Sequence, residues 1–196
     1  MHYFFCLNID LGRKKIFNCI VCGNFSFDII CDSCKDLIKP EFRKKEDIIS
    51  FYDYEEIEKL IKYKYYKFGN RVLEILAKES IGKFFDLYPE KLNIIPVDDN
   101  PKKGFAHTAV LANSIKGHNI LYSTLHSQNK IHYAGKDLEF RLNNPKDFKY
   151  SGPKNIDVVL IDDIVTTGST INEAKEELKK HNVNVLFSVV LANLQY

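Results

Sequence analysis

The sequence predicts an α/β fold, a parallel sheet flanked by helices, with a small cysteine-rich module at its N-terminal end. Three observations predict it. Val158, Val159, Leu160 and Ile161 form an apolar run that leads into Asp162 and Asp163, then a small hydroxylated turn, then a helix-forming stretch. Leu92 to Val97 repeats the order of apolar strand, polar loop and helix. Cys19, Cys22, Cys31 and Cys34 supply two closely spaced C-x-x-C pairs. Unbroken apolar runs fit strands buried on both faces, and strands alternating with helices imply a parallel sheet with ligands at the carboxyl ends of its strands.

The chain has 196 residues, 45% of them hydrophobic, which suits one domain of ordinary size with a small appendage. A formal charge of +2 and a pI near 8.2 exclude a strongly nucleic-acid-binding composition, so only local clusters can carry such a role. The N-terminus is apolar but broken at Asn8 and Asp10, and it lacks the basic and apolar regions of a signal peptide. No run approaches the ~18 residues of a membrane span. A soluble cytoplasmic protein is expected, with peripheral attachment to a membrane complex left open. Five cysteines, an odd number, argue against a secreted disulfide framework.

Residues 1–40 form the first module, with short strands expected up to residue 18. Each C-x-x-C places two sulfurs on one metal. Four thiolates on Cys19, Cys22, Cys31 and Cys34 suit a closed tetrahedral zinc site, structural because no position is left open. A redox C-x-x-C is the alternative, and the two neighbouring copies disfavour it. Cys6 lies outside the pattern and reads as a small apolar residue. The charged stretch 35–47, with Pro40, is the linker to a second domain at 41–196.

Helices are expected over 55–66 and 71–85, interrupted at Gly69. Between them basic and aromatic residues interleave. Lys62, Lys64, Lys67 and Arg71 are candidates to meet the phosphates of single-stranded DNA, with Tyr63, Tyr65 and Phe68 as stacking platforms. The alternative is an amphipathic helix whose aromatics pack inward while its lysines reach out to solvent. The strand at 92–97 is followed by Lys102, Lys103 and Gly104, which suit a diphosphate, or else form a solvated basic turn. A helix over 108–116 and a strand over 119–125 follow. Residues 127–154 are polar and long for a loop, and read as a mobile lid. The last strand is expected at 184–191.

The central motif carries the chemistry. Thr166, Thr167, Gly168, Ser169 and Thr170 lead into a helix with apolar Ile171, Ala174 and Leu178. Backbone N–H groups at a helix start form an anion nest, Gly168 admits close approach, and the hydroxyls donate. The acids suit ligand hydroxyls or a metal beside that anion. A sugar phosphate satisfies both halves. A Walker B strand also ends in acids, but no G-x-x-x-x-G-K-[ST] accompanies it here. A receiver domain carries its acids near its start.

These residues resemble the signature of the type I phosphoribosyltransferases, a Rossmann-like fold that binds phosphoribosyl pyrophosphate (PRPP). The resemblance implies that Asp162 and Asp163 hold the ribose 2′- and 3′-hydroxyls, that residues 166–170 wrap the 5′-phosphate, and that Mg²⁺ accompanies PRPP. The order of four-cysteine module, lysine/aromatic helix, I-P-V, K-K-G-F, R-x-x-N and PRPP motif resembles the competence protein ComF family. It places Pro96, Lys102, Lys103 and Gly104 at a PRPP-binding loop, and Arg141 and Asn144 in the mobile segment. Lys103 stands where that family usually has Arg, which removes a planar fork, and Ala106 where it has Asn. The resemblance implies handling of incoming single-stranded DNA in natural transformation, with the DNA-uptake machinery at the inner face of the membrane as a partner. A phosphoribosyltransferase acting on an unidentified acceptor, nucleobase or other, is the alternative, and an adaptor that retains the fold as a scaffold is a third. Only five residues follow Leu191, too few for a C-terminal base-binding hood, so ordinary purine or pyrimidine salvage is not expected.

Overall fold

The computed structural model describes residues 9–11, 14–66, 69–97, 106–129, 140 and 143–194. Lys67, Lys102, Lys103, Gly104, Arg141 and Cys6 lie outside them. The chain divides into two compact units, Met1–Lys39 and Pro40–Tyr196.

In the first unit, β1 (Ile9–Leu11) pairs antiparallel with β2 (Lys14–Asn18), which pairs antiparallel with β3 (Phe25–Ser26). Helix α1 (Asp32–Leu37) follows. The chain reverses after β2 because Gly23 takes φ +79° and its N–H donates to Cys19 O at 2.8 Å.

The second unit runs β4 (Arg43–Lys45), β5 (Ile48–Ser50), α2 (Tyr54–Lys62), a 3₁₀ turn (Tyr63–Tyr65) and α3 (Gly69–Ala77). A π-helical turn (Lys78–Gly82) joins α3 to α4 (Lys83–Asp86). Then come β6 (Asn93–Pro96), α5 (His107–Ala112), β7 (Asn119–Ile120), β8 (Leu125–Ser127), β9 (Phe148–Tyr150) and β10 (Asp157–Ile161). The chain closes with β11 (Ile164–Val165), α6 (Ser169–Lys179), β12 (Asn184–Val189) and β13 (Ala192–Asn193).

The main sheet has the order β4-β5-β12-β10-β6-β7, parallel except for the β4–β5 hairpin. Strand β10 lies inside it, and Val158, Val159, Leu160 and Ile161 are fully buried, as an apolar run without alternation requires. Helix α6 covers the sheet with Ile171, Ala174 and Leu178, a spacing that aligns side chains on one helical face. From β6 the chain passes through α5 to β7 on one side. From β10 it passes through α6 to β12 on the other. The order therefore reverses between β6 and β10, the place where open α/β sheets form a ligand crevice.

The structure departs from expectation at four places. The stretch 35–47, expected as a linker, holds the end of α1 and strand β4 of the main sheet. Helix α2 stops at Lys62, where the chain tightens into the 3₁₀ turn and reverses; Tyr66 N donates to Tyr63 O, and Gly69 N to Tyr66 O. A Cβ on Gly69 would sit 2.0 Å from Tyr63 O, so only glycine fits that return. The stretch 119–125 splits around Ser123, at φ +56°, into β7 in the main sheet and β8 outside it. The segment 127–154 is not a loop throughout. It contains β9, antiparallel to β8, with Phe148 and Tyr150 buried around exposed Lys149. No helix of the described residues is long and apolar enough to cross a membrane.

Candidate functional site

The acidic tip of β10 is fixed by the main chains of both neighbouring strands. Val97 N donates to Ile161 O at 2.9 Å, and Ile161 is in register with Pro96. Asp162 N donates to Val189 O at 3.1 Å, and Leu191 N to Asp163 O at 3.0 Å. Beyond the tip, β11 pairs in parallel with β13. Both aspartates are 9% exposed, which makes their charges expensive unless hydrogen-bonded. Asp162 Oδ1 accepts from Asp163 N at 2.8 Å, and the Asp163 carboxylate accepts from Ile164 N.

The turn at 166–170 is half-buried, and Gly168 takes φ +79° in the left-handed region. Thr167 Oγ1 lies 3.0 Å from Ser169 Oγ, which holds the two hydroxyls together. The N-cap Gly168 has no side chain to cap α6, and Ser169 N donates to Thr167 Oγ1 at 3.4 Å. The remaining first-turn N–H groups of α6 and its dipole suit an anion placed next to two ionised acids.

Lys64 supplies the missing cation. Its Nζ donates to Asp163 Oδ2, with side chains 14% and 13% exposed. Burial alone would lower the Lys64 pKa, but the charge of Asp163 outweighs it and holds the ammonium above its ordinary value. Burial alone would raise that of Asp163, but Lys64 holds it below the ordinary carboxylate range. The Lys64 main chain is fixed separately, because His107 Nε2, at the start of α5, donates to Lys64 O at 3.1 Å.

The site residues expected from sequence fall into distinct places. Asp162, Asp163 and residues 166–170 come together at the end of β10, with buried Pro96 beside them at the end of β6. Asn144 is half-buried and its Nδ2 donates to Phe140 O at 2.8 Å. Lys64 leaves the expected DNA-facing set, since its ammonium is turned onto Asp163. Lys62 is exposed and pairs with Glu58 at 2.8 Å, and exposed Arg71 lies 4.0 Å from Glu74. Sequence reasoning had placed Lys64 only on the surface. The signal that pointed to it was the acidic pair itself, which needs a cation once buried.

The first unit gathers four sulfurs. The Sγ atoms of Cys19, Cys22, Cys31 and Cys34 lie within 4.8 Å of one another. Cys22 and Cys31 are 3.8 Å apart, close to the edge of a tetrahedron with Zn–S bonds of about 2.3 Å, which is roughly 3.8 Å. Cys19 is positioned by β2, and Cys31 and Cys34 by the start of α1. Burial raises the Cys19 pKa, but backbone N–H groups of Cys31, Cys22 and Val21 outweigh it and bring the thiol down to about 6. Burial and the neighbouring sulfurs push Cys34 up to about 12. Without a metal the four cannot all ionise together, whereas a divalent soft cation relieves that repulsion.

Two predictions follow from this geometry. Protein purified without chelator should carry one zinc per chain by elemental analysis, and Cys34→Ser should lose the metal together with the fold of the first unit. Lys64→Met should cost about 3–5 kcal/mol in urea unfolding, because it leaves Asp163 buried and unpaired; adding Asp163→Asn should recover part of it. The native pKa of Asp163 is depressed, so the contribution of the pair is present above the ordinary carboxyl value of 3.8 and is lost as pH falls through the native one. The stability gap between wild type and Lys64→Met should close in that acidic range.

Comparison with known proteins is consistent with this arrangement. Residues 110–195, from α5 onward, match the family described as "Phosphoribosyl transferase domain". Over 72 residues the chain is 32% identical to an adenine phosphoribosyltransferase of Aliarcobacter butzleri; the alignment covers 37% of this chain and 36% of that enzyme. Among solved structures, the adenine phosphoribosyl transferase of Trypanosoma brucei in complex with AMP, pyrophosphate and ribose-5-phosphate aligns with a TM-score of 0.49 at 11% identity, over 79% of this chain and 87% of that one. UMP synthase of Leishmania donovani aligns with a TM-score of 0.42 at 20% identity, over 79% of this chain and 28% of that one. The family match is confined to residues 110–195, less than half of the chain, and a four-cysteine cluster lies ahead of it in the sequence.

Proposed function

We propose that the protein binds PRPP, or ribose 5-phosphate, at the end of β10. Asp162 and Asp163 take the ribose hydroxyls, and residues 166–170 with the first turn of α6 take the 5′-phosphate. One observation carries this: two pinned, buried carboxylates are followed within a few residues by a hydroxylated turn, with Gly168 in the left-handed conformation, and the start of α6. Mg²⁺, a hard cation that takes oxygen ligands, would accompany PRPP beside the carboxylates of Asp162 and Asp163 and would offset the charge of its diphosphate. Pro96 with Lys102, Lys103 and Gly104 forms the diphosphate side, and Arg141 and Asn144 belong to the segment that closes over it. Zinc holds the four-cysteine module as a structural ion.

The resemblance to ComF supports a role for this site in handling single-stranded DNA during natural transformation, with the uptake machinery as partner. The alternative is phosphoribosyl transfer to an unidentified acceptor. One observation favours the DNA reading: Tyr65 and Tyr66 are 46% and 66% exposed, next to exposed Lys62. Aromatic faces stack on unpaired bases and find none accessible in a duplex.

Calorimetry with PRPP and Mg²⁺ tests the first claim. Asp162→Ala should weaken binding by about 1–3 kcal/mol, and the Asp162/Asp163 double alanine should abolish it. Equal binding by wild type and double variant would remove the assignment. For DNA, wild type should bind labelled single strands more tightly than duplex, with a salt slope of about −0.7 per neutralised phosphate. Lys62→Glu with Arg71→Glu should weaken that binding, and Tyr65→Ala with Tyr66→Ala should erase the preference for single strands. Unchanged affinity and preference in both would exclude this surface.

A further inference from the structure

Lys64 reaches the acidic pair from 99 residues away and uses a flexible, compact charge to do so. Its backbone oxygen is held by His107, the first residue of α5, the helix that follows the loop leaving β6. Lys64 is therefore anchored on the β6 side of the crevice, where the candidate diphosphate loop begins, while its ammonium leans across to β10. We propose that Lys64 is a ligand-binding residue of the phosphoribosyl site, whose ammonium pairs with Asp163 and passes to the diphosphate of PRPP when ribose hydroxyls take the carboxylate. The assignment rests on the phosphoribosyl reading above.

Acceptor capacity at Asp163 argues for the exchange. Its carboxylate already accepts from Ile164 N and from Lys64. An incoming ribose hydroxyl that reaches Oδ2 competes there with the ammonium. Charge argues for the destination. The two acids oppose a polyanion, and the ammonium of Lys64, which feels both, offsets them. In PRPP the diphosphate sits on the ribose carbon adjacent to the one bearing the 2′-hydroxyl, so it arrives beside the acids. An ammonium on a four-carbon stem can turn from the acid to that anion while its main chain stays on His107. An arginine fork, bidentate on the carboxylate, would be harder to release.

Calorimetry of the full chain with PRPP–Mg²⁺ and, separately, with ribose 5-phosphate tests this, because the second ligand lacks the diphosphate. Lys64→Met should weaken PRPP binding about tenfold or more while ribose 5-phosphate changes less than about threefold. Equal loss for both ligands, or no loss for either, overturns the proposal and leaves the phosphoribosyl reading standing. If wild type binds neither ligand, that reading falls and the proposal with it. Should Lys64→Met fail to fold, ¹⁵N-lysine spectra of wild type decide instead, with the Lys64 ammonium signal identified by its loss in Lys64→Arg. PRPP–Mg²⁺ should move the signal to a position different from that reached with ribose 5-phosphate. A signal that stays in place, or reaches the same position with both, overturns the proposal.

Discussion

Two adjacent carboxylates buried at the end of the central strand are the constraint on which the second unit depends. Burying like charges on consecutive residues costs both desolvation and mutual repulsion. A single strand tip cannot absorb that. Neighbouring strands supply main-chain donors and acceptors that lock the tip, and the 3₁₀ turn supplies the ammonium of Lys64. The reversal after α2, the glycine at 69 and the start of α5 all serve to bring that lysine to Asp163.

The sheet order makes the constraint useful. Because β6 and β10 send their helices in opposite directions, nothing in the main sheet closes the gap beyond their carboxyl ends. The acids, the start of α6 and Lys64 all border that gap. One wall offers acceptors for hydroxyls, and the helix start offers donors for an anion. A sugar phosphate has both kinds of group at a fixed separation, whereas a lone anion or a lone cation meets only half of the lining.

The parts legible in the sequence were those written in contiguous residues. The run 158–161 shows burial on both faces directly, and the motif from Asp162 to Thr170 is a local strand, turn and helix. The cysteine knuckles carry their geometry in their spacing, and the four sulfurs do converge. What was hidden depended on distant partners or on turns. Lys64 sits among other lysines and tyrosines, and nothing in its neighbourhood marks it as the one that turns inward. Helix propensity runs on past Lys62, but the close return at Gly69 overrides it. Strand β9 was hidden because only Phe148 and Tyr150 alternate within a polar stretch, too short a pattern to outweigh its surroundings.

The segment after α2 thus divides its residues between the crevice and the solvent. Lys64 turns inward, Tyr65 and Tyr66 outward. The two sides touch where Lys64 Nζ lies 5.3 Å from the centre of the Tyr65 ring, and where that ring meets the His107 ring edge-on at 5.9 Å. A cation–π contact at a partly exposed ring is worth about 0.5–1 kcal/mol, far less than the buried ion pair next to it. The main chain of the turn is held independently, by His107 on Lys64 O and by Tyr66 N on Tyr63 O. A change of partner for the ammonium therefore alters the field at Tyr65 by a small amount and does not release the turn.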